Sequence, residues 1–524
     1  MRRTALGLLS VLLLLPLAPH RAAAEEPVDL ETLSRIRNEG FRHSHVMETV
    51  HHLTDVIGPR VTGSPQAREA SEWTRKQLAD WGLANAHLEP WEFGRGWTYS
   101  GASLTLLKPQ RSPLLVVPKG YTAGTNGPVH GPLMAVKVTT EKDFEQYKGK
   151  LAGKVLLLDE AFDFSKEKND PRRYTDETLR DLGQYKIPKD ADNDREKRYM
   201  ERLRQRRARV KFFTEEKVLA ILEASDTPWG ILRAGGGGTF RPGDNVGPPS
   251  LVVAAEQYNR LIRLAEKDPA VDVELDVKVR YYDDDLTSSN TIAEIPGTDK
   301  ADEVVMVGAH LDSWHTGTGA TDNAAGSAVA MEAVRILKAL GIKPRRTIRV
   351  ALWTGEEEGL IGSYAYVGQH FGSRPQDPEV KDFSRYSWKS TGPVTVKPEH
   401  AKLSAYFNLD NGSGKIRGIY AEENAAVVPI FEAWLRPFAD LGATTVSQRH
   451  TGATDHVPFD SVGLPGFQFI QDQLDYMEMT HHTNMDTYDH LDRDDMMQAS
   501  VVMASFIYQA AMRPEMLPRK PLGQ

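Results

Sequence analysis

The sequence predicts an α/β protein, with a mainly parallel mixed sheet flanked by helices and a second domain inserted into it. Three observations carry this. From about residue 290 onward, short apolar runs alternate with helical patterns, the signature of strands joined by crossover helices. Between about 105 and 282 the texture changes to short apolar strands between Gly/Pro turns. Most of the His, Asp and Glu residues of interest fall just past the ends of the later strands, where α/β sheets bind ligands.

Taken in order, the chain opens on Arg2-Arg3, an apolar run Leu6 to Leu17, and Ala22-Ala23-Ala24. This is the anatomy of a secretory signal peptide with cleavage near Ala24. The run is shorter than the roughly 20 apolar residues that span a bilayer. Export to a secreted or periplasmic location is therefore expected, with no stable membrane anchor. Residues 25–104 are read as the N-terminal part of the peptidase domain, with amphipathic helices alternating with short loops over 29–100. Val46, Val50, Leu53 and Ile57 recur at helical spacing before Gly58-Pro59, and residues 68–81 form a second helix stopped at Gly82.

Residues 105–282 read as the inserted domain, with apolar strands at Leu114 to Val117 and Val155 to Leu158. It holds a highly charged stretch, 163–217, whose basic run Arg202 to Lys211 reads as a solvated helix face. Gly235 to Gly238 is a loop, and no phosphate-loop Lys-Ser/Thr follows it. Residues 283–524 supply the main sheet. Its strands are Val304 to Ala309, Ile348 to Trp353, Leu403 to Leu409 and Phe467 to Ile470. Val329, Ala333, Ile336 and Leu340 mark one face of a helix.

Composition narrows the chemistry. The 524 residues carry 64 basic and 72 acidic side chains, a net charge of −8. Mild acidity argues against nucleic acid as a partner, because phosphate binding needs a basic surface. There is no cysteine, so any metal must be held by His, Asp and Glu. That favours a catalytic over a structural site. His310 and Asp312 follow the first strand of the main run. Asp322 opens the helix of Val329. Glu356 and Glu357 follow the next strand, Asp410 ends the third, and His482 lies after the fourth. Each alone has a bland reading as an N-cap, a turn or a structural histidine. Together, at one sheet edge, they have the composition of a metal site.

At these residues the chain resembles the co-catalytic zinc aminopeptidase family, in particular its branch of plasma glutamate carboxypeptidases. The stretches that carry the resemblance are GAHLDSW (308–314), GATDNAAG (319–326), WTGEEEGLIGS (353–363), NLDNG (408–412), GATDHVPF (452–459) and HHTNMDT (481–487). DVIGPRVTGS (55–64) and EPWEFGRGW (89–97) look like the same branch. The resemblance implies a zinc exopeptidase fold with an inserted protease-associated domain, and two Zn2+ per chain. It implies one zinc on His310 and Asp410, a second on Glu357 and His482, and Asp322 bridging them. Glu356 would be the general base, and Asp312 would orient the His310 imidazole.

The implied activity is that of an exopeptidase on short peptides with a free N-terminus, dipeptides foremost. The implied partners are a short peptide substrate and, as an option, a second copy in a homodimer. The segments 163–217 and 372–402 are enlarged relative to the branch. The inserted domain and the segment 372–402 are placed to roof the site against long chains. Of the two histidines in HHTNMDT, the resemblance implies that the ligand is His482, the one just before Thr in His-Thr-x-x-Asp-Thr; neighbouring side chains in an extended loop are expected to point apart, so that only one of the two binds. Glutaminyl cyclases, with one zinc, and transferrin receptor ectodomains, which have lost activity, resemble the same fold; the full ligand set with its base argues against both.

Overall fold

The computed structural model describes residues 26–166, 172–187, 195–375 and 392–521. The expected leader, 1–24, lies outside them, as does 376–391 of the segment expected to roof the site. The apolar runs of the second half form the centre of an eight-stranded sheet. Its strands are β1 (Ala84–Glu92), β2 (Thr287–Ile295), β3 (Lys300–His310), β4 (Arg346–Trp353), β5 (Leu403–Asn408), β6 (Ile416–Tyr420), β7 (Thr445–Ser447) and β8 (Gly466–Gln471). The spatial order is β1-β2-β4-β3-β5-β8-β6-β7. The central pairs β4-β3, β3-β5 and β5-β8 are parallel, whereas β1-β2, β2-β4 and β8-β6 are antiparallel. The sheet is therefore mixed, with a parallel centre.

Its strands are apolar on both faces because both faces are covered. Val305, Val307, Val350 and Phe407 pack on one face, beneath helices α1 (Ala325–Ala339) and α3 (Arg493–Met512). Met306, Trp353 and Tyr406 pack on the other, with Tyr366 and Val367 of α2 (Ile361–His370). Register sets the functional edge. His310 pairs with Trp353, and Gly308 with Asn408. The C-terminal ends of β3, β4 and β5 are therefore level, and whatever follows each strand emerges at one edge.

A second eight-stranded sheet spans residues 96–282, with its own core of Leu104, Leu157, Leu222, Val253, Leu261 and Leu275. Its long strands are Gly96–Leu106 and Asp272–Tyr282.

Four expectations need correction. Residues 84–92 and 96–106 are strands, not helix and loop. Ala84–Glu92 is an edge strand, mostly half-buried and without a clean alternation, so the period-2 signal is weak. The apolar run 114–117 is two strands, Ser112–Leu114 and Val116–Pro118, broken at the exposed Leu115. The helix at 46–57 is α-helical only over Val46–His51. It widens to a π-turn over His52–Ile57, which keeps Leu53 and Ile57 buried, and ends at Gly58 with φ +85°. Asp322 does not open the helix: α1 begins at Ala325, and Asp322 has φ −130° and ψ 87° in the turn before it.

Candidate metal centre

His310 is the last residue of β3 and is fully buried. Its carbonyl accepts from Ser327 Oγ at 2.7 Å, which ties the strand end to α1. Its Nδ1 lies 3.0 Å from the Asp312 carbonyl oxygen. A carbonyl only accepts, so Nδ1 carries the proton and Nε2 presents its lone pair. That lone pair faces Asp322 Oδ1 at 3.2 Å and Asp410 Oδ1 at 3.3 Å. Asp312 was expected to orient the imidazole through its carboxylate. The main-chain oxygen of Asp312 is the nearer partner, and its carboxylate stands beside it, 3.6 Å from Nδ1.

The Asp312 carboxylate has another task. It accepts from the backbone amides of Glu356 at 3.4 Å and Glu357 at 3.2 Å, and from Thr62 Oγ1 at 3.0 Å. The two glutamates are thus held by their own main chain. The turn that delivers them needs glycine: Gly355 has φ +77°, and a Cβ there would meet the Trp91 ring at 2.7 Å.

On the other side of Asp322 stands His482, with Nε2 2.9 Å from Glu357 Oε2 and 3.2 Å from Asp322 Oδ2. The two oxygens of Asp322 therefore face two different histidines, one each. His481 does not point away from its neighbour, as was expected. The two rings stack at 3.8 Å between centroids and 25° between planes, and His481 Nε2 is 3.8 Å from Asp322 Oδ2. A positive φ of 61° at His482 turns the chain so that successive side chains share a side. Asp322 with His310 and Asp410, and Asp322 with His481 and His482, each bring their ligand atoms within 4.8 Å of one another. Glu356 stands back, with Oε2 4.0 Å from His310 Nε2.

The electrostatics show what such packing costs. Burial, reinforced by Asp322, pushes the Glu357 carboxyl up to about 7. Burial also holds the Glu356 carboxyl well above its usual range, against the pull of His310 and with the acids Asp410, Asp455 and Glu357 adding to it. Burial would lower the His482 imidazole, but Glu357 and Asp322 outweigh it and push it up to about 10. Carboxylates this close need protons or cations between them. Asp322 Oδ2 and Glu357 Oε1 are buried without a hydrogen-bond partner. Oxygen and imidazole donors, some unsatisfied and converging on two adjacent points, fit a pair of divalent ions.

Several residues around the centre had been passed over. Asp486 accepts from the Thr321 amide at 2.6 Å and hydroxyl at 2.8 Å, fixing the turn that carries Asp322. Arg60 is fully buried and donates to the carbonyls of Leu53, Leu311, Thr318 and Gly319, lacing the loop after β3 to the N-terminal segment. Asp455 is buried, accepts from Ser363 Oγ, and is pushed up to about 8 by burial. Glu358 accepts from Tyr121 Oη at 2.7 Å, which links the two sheets. Asp486, Arg60, Asp455 and Glu358 all lie inside stretches that carry the family resemblance. A lone Arg or Asp has no periodicity to mark it, so those stretches were the only signal.

The centre opens into a cleft of about 1240 Å³, lined from the main sheet by Asp322, Glu356, Asp410 and His482 and from the second sheet's side by Tyr121 and Phe240.

Residues 290–507 match the model of peptidase family M28. The chain is 28% identical to carboxypeptidase Q of Bos taurus over 525 residues, 97% of each chain. It is 27% identical to carboxypeptidase Q of Homo sapiens, over 89% of this chain and 85% of that one. Among solved structures, a peptidase M28 precursor from Shewanella amazonensis superposes with a TM-score of 0.68 at 25% identity, covering 94% and 98% of the two chains. A zinc aminopeptidase of Bacillus subtilis shares the fold, with a TM-score of 0.57 at 19% identity over 90% and 95%. Residues 290–507, which hold His310, Asp312, Asp322, Glu356, Glu357, Asp410 and His482, match peptidase family M28, and the chain is a peptidase.

Proposed function

We propose that this chain is an exported two-zinc exopeptidase that hydrolyses short peptides with a free N-terminus, dipeptides foremost. One observation carries the two-ion reading: Asp322 directs one oxygen to each of two histidines 3.2 Å away. His310 and Asp410 would hold one ion, His482 and Glu357 the other, and Asp322 would lie between them. The zinc aminopeptidase that shares the fold and the histidine–carboxylate donor set support zinc as the metal. When bound, such a pair acts as a Lewis acid and brings the pKa of water it holds down towards about 7.

The chain's own residues do the rest. Glu356 stands 4.0 Å from His310 Nε2, beside the ligand atoms without touching them, and its raised proton affinity suits a general base. Its carboxylate takes the proton of the attacking water and delivers it to the leaving nitrogen. Asp312 keeps Glu356 and Glu357 at fixed distances through their amides. The sheet of residues 96–282 is read as the inserted protease-associated domain, which narrows the approach to the centre. Export rests on the N-terminal pattern; among the described residues no helix is long and apolar enough to cross a membrane.

The test is a zinc-loaded assay against dipeptides, their N-acetylated forms and a long peptide, with elemental analysis of the same sample. Two ions per chain with turnover confined to short, free-amine substrates is the expected result. Efficient internal cleavage, or equal turnover of the acetylated forms, overturns the exopeptidase reading. One ion per chain at full activity overturns the two-ion reading.

A further inference from the structure

The loop that carries His482 leaves β8 at Gln471 and runs to Asn484, and residues from the region of the second sheet hold it at both ends. At its far end it pairs with the main chain of residues 232–234. Arg233 and Thr483 face each other in an antiparallel bridge. The Ala234 amide donates to the His482 carbonyl at 3.0 Å, and the Asn484 amide to the Leu232 carbonyl at 3.1 Å. The Asn484 side chain accepts from the Leu232 amide at 2.7 Å. The Arg233 side chain then reaches back along the loop. Its Nη2 donates to the Met477 carbonyl at 2.7 Å, and its Nη1 stands 3.5 Å from His481 Nδ1. Its Nε is 3.1 Å from Asp226 and 3.2 Å from Thr227 Oγ1, which ties the guanidinium to its own side. At the near end, the charged stretch takes the first residues after β8. Arg173 Nη1 donates to the buried Asp472 at 3.1 Å, and the Leu474 amide donates to the Arg172 carbonyl at 2.6 Å.

The run Gly235 to Gly238 follows this segment directly, and it serves close approach. Trp314, from the loop after β3, lies edge-on to His482, with 6.3 Å between ring centroids. A Cβ at Gly236 would come within 3.2 Å of the Trp314 ring, and one at Gly120 within 2.3 Å. Residues of the second region therefore close on the indole that packs against the ligand as well as on the ligand's own main chain.

The ligands differ in what fixes them. His310 ends a strand of the main sheet and Asp410 follows another closely, whereas His482 stands well past the end of β8 with φ 61°. A residue with a Cβ persists in that conformation only where its surroundings fix it. Here the carbonyl of the left-handed residue is held by the Ala234 amide, and the turn before it by Arg233.

We infer that residues 232–234 are part of the scaffold of the metal centre, and that Arg233 is a positioning residue that sets His482 and with it the affinity of the ion shared by His482 and Glu357. This rests on the two-zinc reading above and deepens it: one ion of the pair depends on the region of the second sheet, and the ion on His310 and Asp410 does not.

The experiment measures zinc affinity in the full chain by competition with a chromophoric chelator, with Arg233→Gln placed in two backgrounds. His310→Ala leaves the ion on His482 and Glu357, and His482→Ala leaves the ion on His310 and Asp410. Glutamine is too short to hold Met477 and Asp226 together. The lost support is expected to weaken zinc about 10- to 100-fold in the His310→Ala background, the usual cost of removing a group that orients a ligand, and to leave the affinity in the His482→Ala background unchanged. Equal loss in both backgrounds marks Arg233 as general support of the fold, and no loss in either marks it as idle; each overturns the inference. Should Arg233→Gln not fold, Arg233→Lys, which keeps the charge and a donor, is measured in the same way, with a smaller loss expected in the His310→Ala background alone and the same two results overturning the inference.

The wild type separates this inference from the reading beneath it. One ion per chain gives up the two-zinc reading. The inference survives that result if His482→Ala removes the ion and Arg233→Gln weakens it, and falls if either does not. No ion at all gives up both.

Discussion

Glu356 and Glu357 are adjacent carboxylates with little of their side chains exposed, yet their surroundings give them different work. Glu357 Oε2 is 2.9 Å from His482 Nε2, inside the ligand shell, whereas Glu356 approaches His310 no nearer than 4.0 Å. Glu356→Gln keeps the volume and the amide anchored on Asp312, but cannot accept a proton at neutral pH. It should retain both ions by elemental analysis while kcat falls by about 10²–10⁴-fold, with KM changing far less. Loss of an ion in that variant would move Glu356 into the ligand set. The stacked histidines call for a second comparison. His482→Ala is expected to reduce the metal content below two ions per chain and His481→Ala to keep both, because His482 is the nearer to Asp322 and alone contacts Glu357. The opposite pattern would reassign the ligand. Nothing in the residue types separates two neighbouring histidines; the positive φ at His482 decides how they lie, and no local sequence signal announces it.

At the scale of elements, the sheet centre was legible because a strand buried on both faces must be a continuous apolar run. Val304–Ala309 and Ile348–Trp353 fall inside β3 and β4, and their polar successors at the strand ends become the site. The edge strand Ala84–Glu92 was not legible, since half-buried positions carry no alternation. The turn bearing Asp322 was misread as a helix start because Asp is a favoured N-cap; here Asp486 takes the Thr321 amide and hydroxyl instead.

The loop 447–455 shows how an element facing the cleft is pinned. Buried Glu422 accepts from the Thr451 amide at 3.0 Å and pairs with His450 Nδ1 at 2.7 Å. The hydrogen bond to Glu422 raises the His450 pKa against the cost of its burial. A histidine whose folded pKa is raised stabilises the fold fully below its unfolded value of about 6.5, and the gain is lost as pH rises through the folded value. His450 is half exposed, so the effect is discounted for screening. His450→Gln should therefore cost about 1 kcal/mol or less at pH 6 and close to nothing at pH 9. Chemical denaturation at the two pH values reads the difference, and an equal cost at both would mean that the pair is not charged.

For the whole molecule, the division into a main sheet and an inserted one was visible in the change of texture, though the second sheet begins at Gly96 and not near 105. What no local pattern shows is the cleft, because it is made by residues more than a hundred positions apart: the helix Arg195–Glu215 on one side, β3 and β4 ends on the other. The same long-range assembly makes the centre a place where folding brings like charges together. Asp322, Glu357 and Asp410 would separate freely in the unfolded chain; in the folded one burial works against the ionisation of Glu357, and at Asp322 it is outweighed by His310 and His482. Cations that bind only the folded arrangement shift the equilibrium by RT ln(1 + [L]/Kd), about 2.7 kcal/mol for each site at a hundredfold excess over Kd. Removal of the ions by a chelator is therefore expected to lower the thermal midpoint as well as abolish activity, and added Zn2+ should restore both together. The midpoint of the loaded enzyme should rise with free zinc concentration, while His310→Ala, which removes a ligand, should flatten that dependence. A midpoint that ignores both chelator and zinc would mean that protons, shared among these carboxylates and histidines, satisfy the centre instead of metal, and the two-ion reading of the site would have to be given up.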